Sequence, residues 1–147
     1  MKLSTRGRYG TRALLELTIQ LGRGPVSLKD IAERQEISLQ YLEHLITPLI
    51  AGGIIKSTRG AKGGISLSRP PDEITLSEII RLLEGSTAPV DCIEKPALCE
   101  RSGFCVTRDT WAELQTAIDK ILQATTLQDL AERQKKKQNS EELMYYI

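Results

Sequence analysis

The residues with the most distinctive chemistry are the three cysteines, Cys92, Cys99 and Cys105, which share one stretch, DCIEKPALCERSGFC. Six and then five residues separate them, and the chain has no other cysteine. A disulfide framework is disfavoured because the count is odd. The N-terminal MKLSTRGRYG also lacks the apolar core of a secretory signal, so the expected compartment is the reducing cytoplasm. Thiols clustered in a loop punctuated by Gly and Pro suit a soft metal or an iron–sulfur cluster, since both prefer thiolate ligands. Zinc competes, but it favours four ligands in a closed tetrahedron, usually from CxxC pairs, and no such pair is present. A thiol redox switch needs two cysteines able to approach, which the loop permits. The plain alternative is that one or two of them are buried as small hydrophobes.

Catalysis is not expected. The chain has one histidine, His44, and no nucleophile-elbow or P-loop pattern. Its 147 residues suit one ordinary domain, or a small domain with an appendage. Hydrophobic residues make up 40% and aromatics only 4%, a balance that favours helices over a β-sandwich. No apolar run approaches the length of about 18 residues needed to span a membrane. Charge is uneven along the chain. Residues 1–70 carry 11 Lys/Arg against 5 Asp/Glu, and residues 71–147 carry 9 against 14. A basic first half points to a polyanion such as DNA.

The elements follow from caps and spacing. Ser4 can cap a helix with Tyr9, Ala13, Leu14, Leu17 and Leu21 on its apolar side, ended by Gly22, Gly24 and Pro25. Lys2, Arg6, Arg8 and Arg12 crowd its first half, against the helix dipole, which makes sense if phosphates lie nearby. Ser27 and Asp30 resemble a capping box for residues 28–35, burying Leu28, Ile31 and Ala32. After a break at Glu36-Ile37, Ser38 caps a third helix that buries Leu42, Leu45, Ile46, Leu49 and Ile50 before Gly52-Gly53. Two short helices across a tight turn read as a helix-turn-helix. Its second helix would present Ser38, Gln40, Tyr41, Glu43 and His44 to the major groove, where Glu43 can accept from a cytosine amino group. Residues 54–58 and 65–68 flank RGAKGG and form a hairpin, the wing, with Arg59 and Lys62 as phosphate or minor-groove anchors.

Thr75 with Glu78 opens a further helix that ends at Gly85. The cysteine loop then spans about residues 86–107. Trp111, Leu114, Ile118, Ile121 and Leu122 form the apolar stripe of a long helix over 109–124 with no neighbouring segment to cover it, and a second copy of the chain would do so. A short helix over 127–132 and a mobile tail over 133–147 complete the chain. The expected architecture is mainly α: a winged helix-turn-helix domain with a two-stranded wing over 1–70, and a cluster-binding loop with dimerisation helices over 71–132.

MKLSTRGRYGTRALLEL, SLQYLEHLITPLIAGGIIKSTRGAKGGISLSRP and CERSGFCVTRDTW together resemble the IscR-like winged-helix transcription regulators, a family that also contains NsrR and CymR. The likeness covers about residues 1–132. It implies a homodimeric repressor of double-stranded DNA operators, with the long helix crossing to the partner subunit. It also implies an iron–sulfur cluster, 2Fe–2S or another type, on cysteines matching Cys92, Cys99 and Cys105, and target genes in cluster assembly. CymR-like members lack this triad, so its presence favours the cluster-binding branch. One position departs from the IscR pattern: where a histidine follows the third cysteine by three residues, this chain has Arg108, which stays protonated and cannot ligate iron. A fourth ligand must come from elsewhere. The choices are an oxygen near the loop (Asp91, Glu94, Glu100, Thr107 or Asp109), the partner subunit or an exogenous group, with Asp109 preferred. An oxygen ligand would make the cluster more labile. A nitric-oxide- or thiol-redox-responsive regulator of the same family is the nearest alternative. A metal-site interaction protein without a DNA role is the alternative of another class.

Overall fold

The computed structural model describes residues 2–146, so Met1 and Ile147, which belong to the expected first domain and tail, lie outside it. Six α-helices and one hairpin follow in order: α1 (Thr5–Ile19), α2 (Leu28–Gln35), α3 (Leu39–Ala51), β1 (Ile55–Thr58), β2 (Gly64–Leu67), α4 (Leu76–Glu84), α5 (Val106–Ala124) and α6 (Leu127–Tyr145). Short 3-10 turns at Pro71–Glu73, Asp91–Ile93 and Pro96–Leu98 connect them. The architecture is mainly helical with a two-stranded wing.

Side-chain caps start five of the helices. Ser4, Ser27 and Ser38 accept from the backbone N–H of Arg6, Asp30 and Tyr41, while Thr75 with Glu78 and Thr126 with Asp129 form reciprocal capping boxes. Between α2 and α3 the chain turns through Glu36, at φ 53°, and the N–H of Ile37 reaches back to the Ala32 carbonyl at 2.9 Å. Glu16 fixes α2 against α1. Its carboxylate accepts from Arg34 at 2.7 Å, from Gln20 at 3.1 Å and from Gln35 at 3.1 Å. Burial pushes the Glu16 carboxyl up, but these donors and the Arg34 charge outweigh it and hold the group below its ordinary range.

The strands pair antiparallel, Ile55 with Leu67 through Thr58 with Gly64. Val26 exchanges two backbone hydrogen bonds with Ile65, at 2.9 and 2.8 Å, and so fastens the root of the wing to the segment before α2. Gly64 permits that approach, because a Cβ there would collide with the Val26 carbonyl.

One core serves both halves of the chain. Ala13, Leu14, Ile31, Leu42, Leu49 and Ile54 share a cluster with Ile74, Ile79, Leu83 and Leu127, so apolar packing runs straight across residue 70. Backbone bonds from Leu76 to Thr125 (2.8 Å) and from Leu127 to Ile74 (3.0 Å) stitch the start of α4 to the α5–α6 junction. Helix α4 lies on α1 where α1 has no side chain. Gly7 and Gly10 are buried, and Cβ atoms there would strike Glu84 and Leu83.

Four expectations change. Helix α1 stops at Ile19, which leaves Leu21 exposed rather than on its apolar stripe, and Ile50 is also exposed at the end of α3. Helix α5 begins three residues before the Asp109 start expected from its apolar spacing, with Cys105 as its N-cap. The short last helix and mobile tail are replaced by one helix to Tyr145, since 133–145 contains neither Gly nor Pro and is rich in good helix formers. Along α5, no residue is buried within the chain, and Trp111, Leu114 and Ile121 are 40%, 39% and 65% exposed.

The α1–α4 contact yields a test. Gly10→Val should lower the unfolding free energy by about 2 kcal/mol through overpacking against Leu83. Urea denaturation followed by circular dichroism measures it.

Candidate nucleic-acid interface and cysteine loop

The polar residues at the start of α3 stand clear of the core. Ser38, Gln40, Glu43, His44 and Thr47 are exposed, and Tyr41 is half-buried. Ser38 uses its oxygen to cap Tyr41 N–H at 3.2 Å, which leaves its hydroxyl hydrogen free to donate. Tyr41 also meets α1. Its ring packs edge-on against Tyr9, centroids 6.2 Å apart at 84°, and the guanidinium groups of Arg8 and Arg12 lie 5.8 and 5.2 Å from the Tyr9 ring centroid. Arg12 is further held by Gln35, donating to its side-chain oxygen at 3.0 Å and its carbonyl at 2.7 Å. The basic half of α1 and the N-terminal end of α3 therefore form one surface joined through Tyr9. Sequence reasoning assigned Tyr9 to the apolar stripe and missed this role. The available signal was its place directly after Arg8 and three residues before Arg12.

At the wing, Arg59 and Lys62 are exposed and make no ion pair among the described residues. The turn between them closes through Gly63 N–H to the Gly60 carbonyl at 3.0 Å, with Gly60 at φ 110°, which favours glycine. Recognition helix, α1 cations and wing tip thus supply donors and positive charge of the kind that tracks a phosphate backbone.

The link from this surface to the cysteine loop is Glu84, the last residue of α4. One of its carboxylate oxygens accepts from Ser4 N–H at 2.8 Å, Ser4 hydroxyl at 2.6 Å and Gly7 N–H at 3.1 Å. That anion at the N-terminus of α1 offsets the crowding of cations there. Arg69, just beyond the wing, adds a second tie by donating to Glu78 of α4 at 2.8 Å.

All three cysteines are free thiols, and each is half-buried. The loop holds its shape through short local bonds. Ser102 hydroxyl reaches the carbonyls of Pro96 and Cys99, both at 2.7 Å, Ser86 donates to Glu94 at 2.7 Å, and Arg108 Nε donates to the Cys92 carbonyl at 3.0 Å. Cys105 Sγ lies 3.2 Å from Thr107 Oγ1. That hydroxyl, with the Arg108 backbone N–H at the start of α5, holds the Cys105 thiol below its ordinary range. Among the described residues, no three His, Cys, Asp or Glu side chains gather around one metal position. Asp109 is exposed on the first turn of α5, and His44 is on α3. As a donor set, three unpaired thiols on one loop suit an iron–sulfur cluster; the cage itself is not preformed.

The sequence profile of the Rrf2 family, described as iron-dependent transcriptional regulators, matches residues 3–133. The chain belongs to the Rrf2 family. The HTH-type transcriptional regulator CymR of Bacillus subtilis (strain 168) is 43% identical over 149 residues, covering 100% of both chains. Protein rrf2 of Nitratidesulfovibrio vulgaris is 45% identical over 130 residues, 88% of this chain and 87% of that one. The solved structure of CymR (YrzC), described as the global cysteine regulator of B. subtilis, superposes with a TM-score of 0.78 over 90% of this chain and 98% of that chain. T. potens IscR gives 0.75 at 41% identity, over 90% and 88%. As an Rrf2-family member the chain is a winged-helix, DNA-binding transcriptional regulator and not an enzyme. No helix among the described residues is long and apolar enough to cross a membrane.

Two substitutions separate the parts of the interface. Arg59→Ala should weaken binding to every duplex and reduce the magnitude of the salt slope by about one. Tyr9→Leu keeps every charge, so it should lower affinity while leaving the slope unchanged. Fluorescence anisotropy on one operator and one random duplex at several salt concentrations measures both.

Proposed function

We propose that this Rrf2-family regulator is a cytoplasmic homodimeric repressor whose affinity for operator DNA depends on a 2Fe–2S cluster held by Cys92, Cys99 and Cys105. The observation that carries the reading is the position of the three free thiols. Their loop leaves α4 at the residue after Glu84, and Glu84 is the group bonded to the N-terminus of α1. When bound, the cluster supplies a redox- and iron-sensitive crosslink to three thiolates. Asp109 is the proposed fourth ligand, since Arg108 stays protonated and is engaged with the Cys92 carbonyl. Target genes in cluster biogenesis belong to the same proposal.

The DNA side assigns Ser38, Gln40 and Tyr41 to base edges or adjacent phosphates and Glu43 to a cytosine amino group. Arg59 and Lys62 anchor the wing. Exposed apolar residues along α5 support association with a second copy, which would set two winged units at half-sites about one helical turn apart. Loop order then biases their separation. A coupling of about 1–3 kcal/mol would change operator occupancy 5–150-fold.

The lowered pKa of Cys105 favours a second reading, in which the same loop is a thiol-redox or nitric-oxide switch. An anaerobic visible spectrum of the purified protein, with iron, sulfide and zinc assayed on the same sample, decides between them. Charge-transfer absorption with comparable iron and sulfide is the expected result. A protein that stays colourless after reconstitution overturns the cluster and leaves the thiol switch.

The dimer has its own test. Ile121→Glu should leave the helical spectrum intact, shift the molecular mass measured by light scattering from dimer to monomer, and remove operator binding.

A further inference from the structure

A groove of about 390 Å³ opens between the N-terminal arm, the end of α4 and the C-terminal half of α5. Leu3, Ile80, Ala88, Ile118 and Leu122 give it an apolar lining, and Glu84 borders it. Leu3 is 49% exposed, although it directly precedes Ser4, whose N–H and hydroxyl bind Glu84. An apolar arm residue left open beside those bonds marks a surface that another apolar group covers.

The α5 stripe identifies the cover. Trp111, Leu114, Ile118 and Ile121 are spaced by three, four and three residues, the period of a seam between two helices. Two copies paired antiparallel about that seam bring Leu114 level with Ile118, and Trp111 level with Ile121, of the other chain. Glu113 and Lys120 flank the stripe on one side; both are exposed and neither makes an ion pair among the described residues. The antiparallel pairing sets Glu113 of each copy level with Lys120 of the other, whereas a parallel one sets each charge level with its own kind. Trp111 and Leu122, about three helical turns apart, lie on the other side of the stripe. The Trp111 ring of one chain therefore leans toward Leu122 of the other, which lines the groove.

We propose that the groove is the seat of Trp111 from a second copy, so that each chain's tryptophan closes over the N-terminal arm of the other. This rests on the dimer proposed above and adds its register and what it holds in place. Seated there, the ring packs on Leu3, Ile80 and Leu122 and presses the arm onto α4 beside the Glu84 bonds. The start of α1, which carries the basic surface, is thereby completed by α5 of the other chain.

Trp111 is the one tryptophan of the chain, so its fluorescence reports the seat directly. In the full-length protein, at a concentration where light scattering finds the dimer, its emission should lie to the blue of the Ile121→Glu monomer and resist iodide quenching. Leu3→Asp, at an arm position off the α5 stripe, should move the emission of the dimer to the red or prevent dimerisation; either result supports the seat. Glu113→Lys and Lys120→Glu should each weaken the dimer about fivefold or more, and the two together should restore it. A dimer whose emission is unmoved by Leu3→Asp overturns the proposal and leaves the dimer reading intact. So does a double swap no tighter than the single variants, which excludes the antiparallel register. A wild-type chain that stays monomeric overturns both.

Discussion

One carboxylate oxygen ties α4 to the N-terminus of α1, over the core that the two halves of the chain share. Glu84 receives the Ser4 backbone, the Ser4 hydroxyl and the Gly7 backbone, the donors that the first turn of α1 leaves unsatisfied. The interaction is possible only because α1 presents Gly7 and Gly10 on that face. It places a negative charge where a helix N-terminus favours one, on a helix otherwise loaded with arginines at that end. Neither the helix carrying the basic surface nor the helix feeding the cysteine loop can move without changing this contact.

Under the proposed function, that arrangement gives a change in the cysteine loop a route to the DNA-binding surface. The wing root is fastened by Val26 and Ile65, α2 is pinned by the Glu16 network, and the recognition helix is braced through Tyr9 and Tyr41. The DNA-reading parts are rigid relative to one another. The loop between α4 and α5, by contrast, is organised by 3-10 turns and a few hydroxyl and guanidinium bonds, with no fully buried residue in the stretch from Ser86 to Cys105. A ligand bound in that loop, as proposed, would have a short route to the basic surface through α4 and Glu84.

Much of this was legible in the chain. Serine or threonine caps announced five helices because their bonds are local, and the wing followed from two β-rich runs around RGAKGG. The apolar stripe of α5 was readable as short of a partner, and the structure leaves Trp111, Leu114 and Ile121 exposed while Ile118 and Leu122 are half-buried. What escaped depended on contacts distant in sequence. Gly7 and Gly10 look like weak points of a helix until α4, some 75 residues on, occupies the space they leave. Tyr9 reads as one more stripe residue until Tyr41 meets it. For α6 the error ran the other way: a charged segment without an apolar face was taken for a tail, whereas uninterrupted helix formers suffice to carry the helix on.

Helix α4 has nine residues, a length of about 13 Å. Both its ends are fastened, the first to the α5–α6 junction through Leu76 and Thr125, the last to α1 through Glu84. A segment held at both ends and capped at its start behaves as a strut. At that length, a tilt of about 5° moves one end by about 1 Å relative to the other. Under the proposed function, a change in the loop would reach the DNA surface as leverage, with the strut itself staying folded and the gain set by geometry rather than by how easily α4 melts.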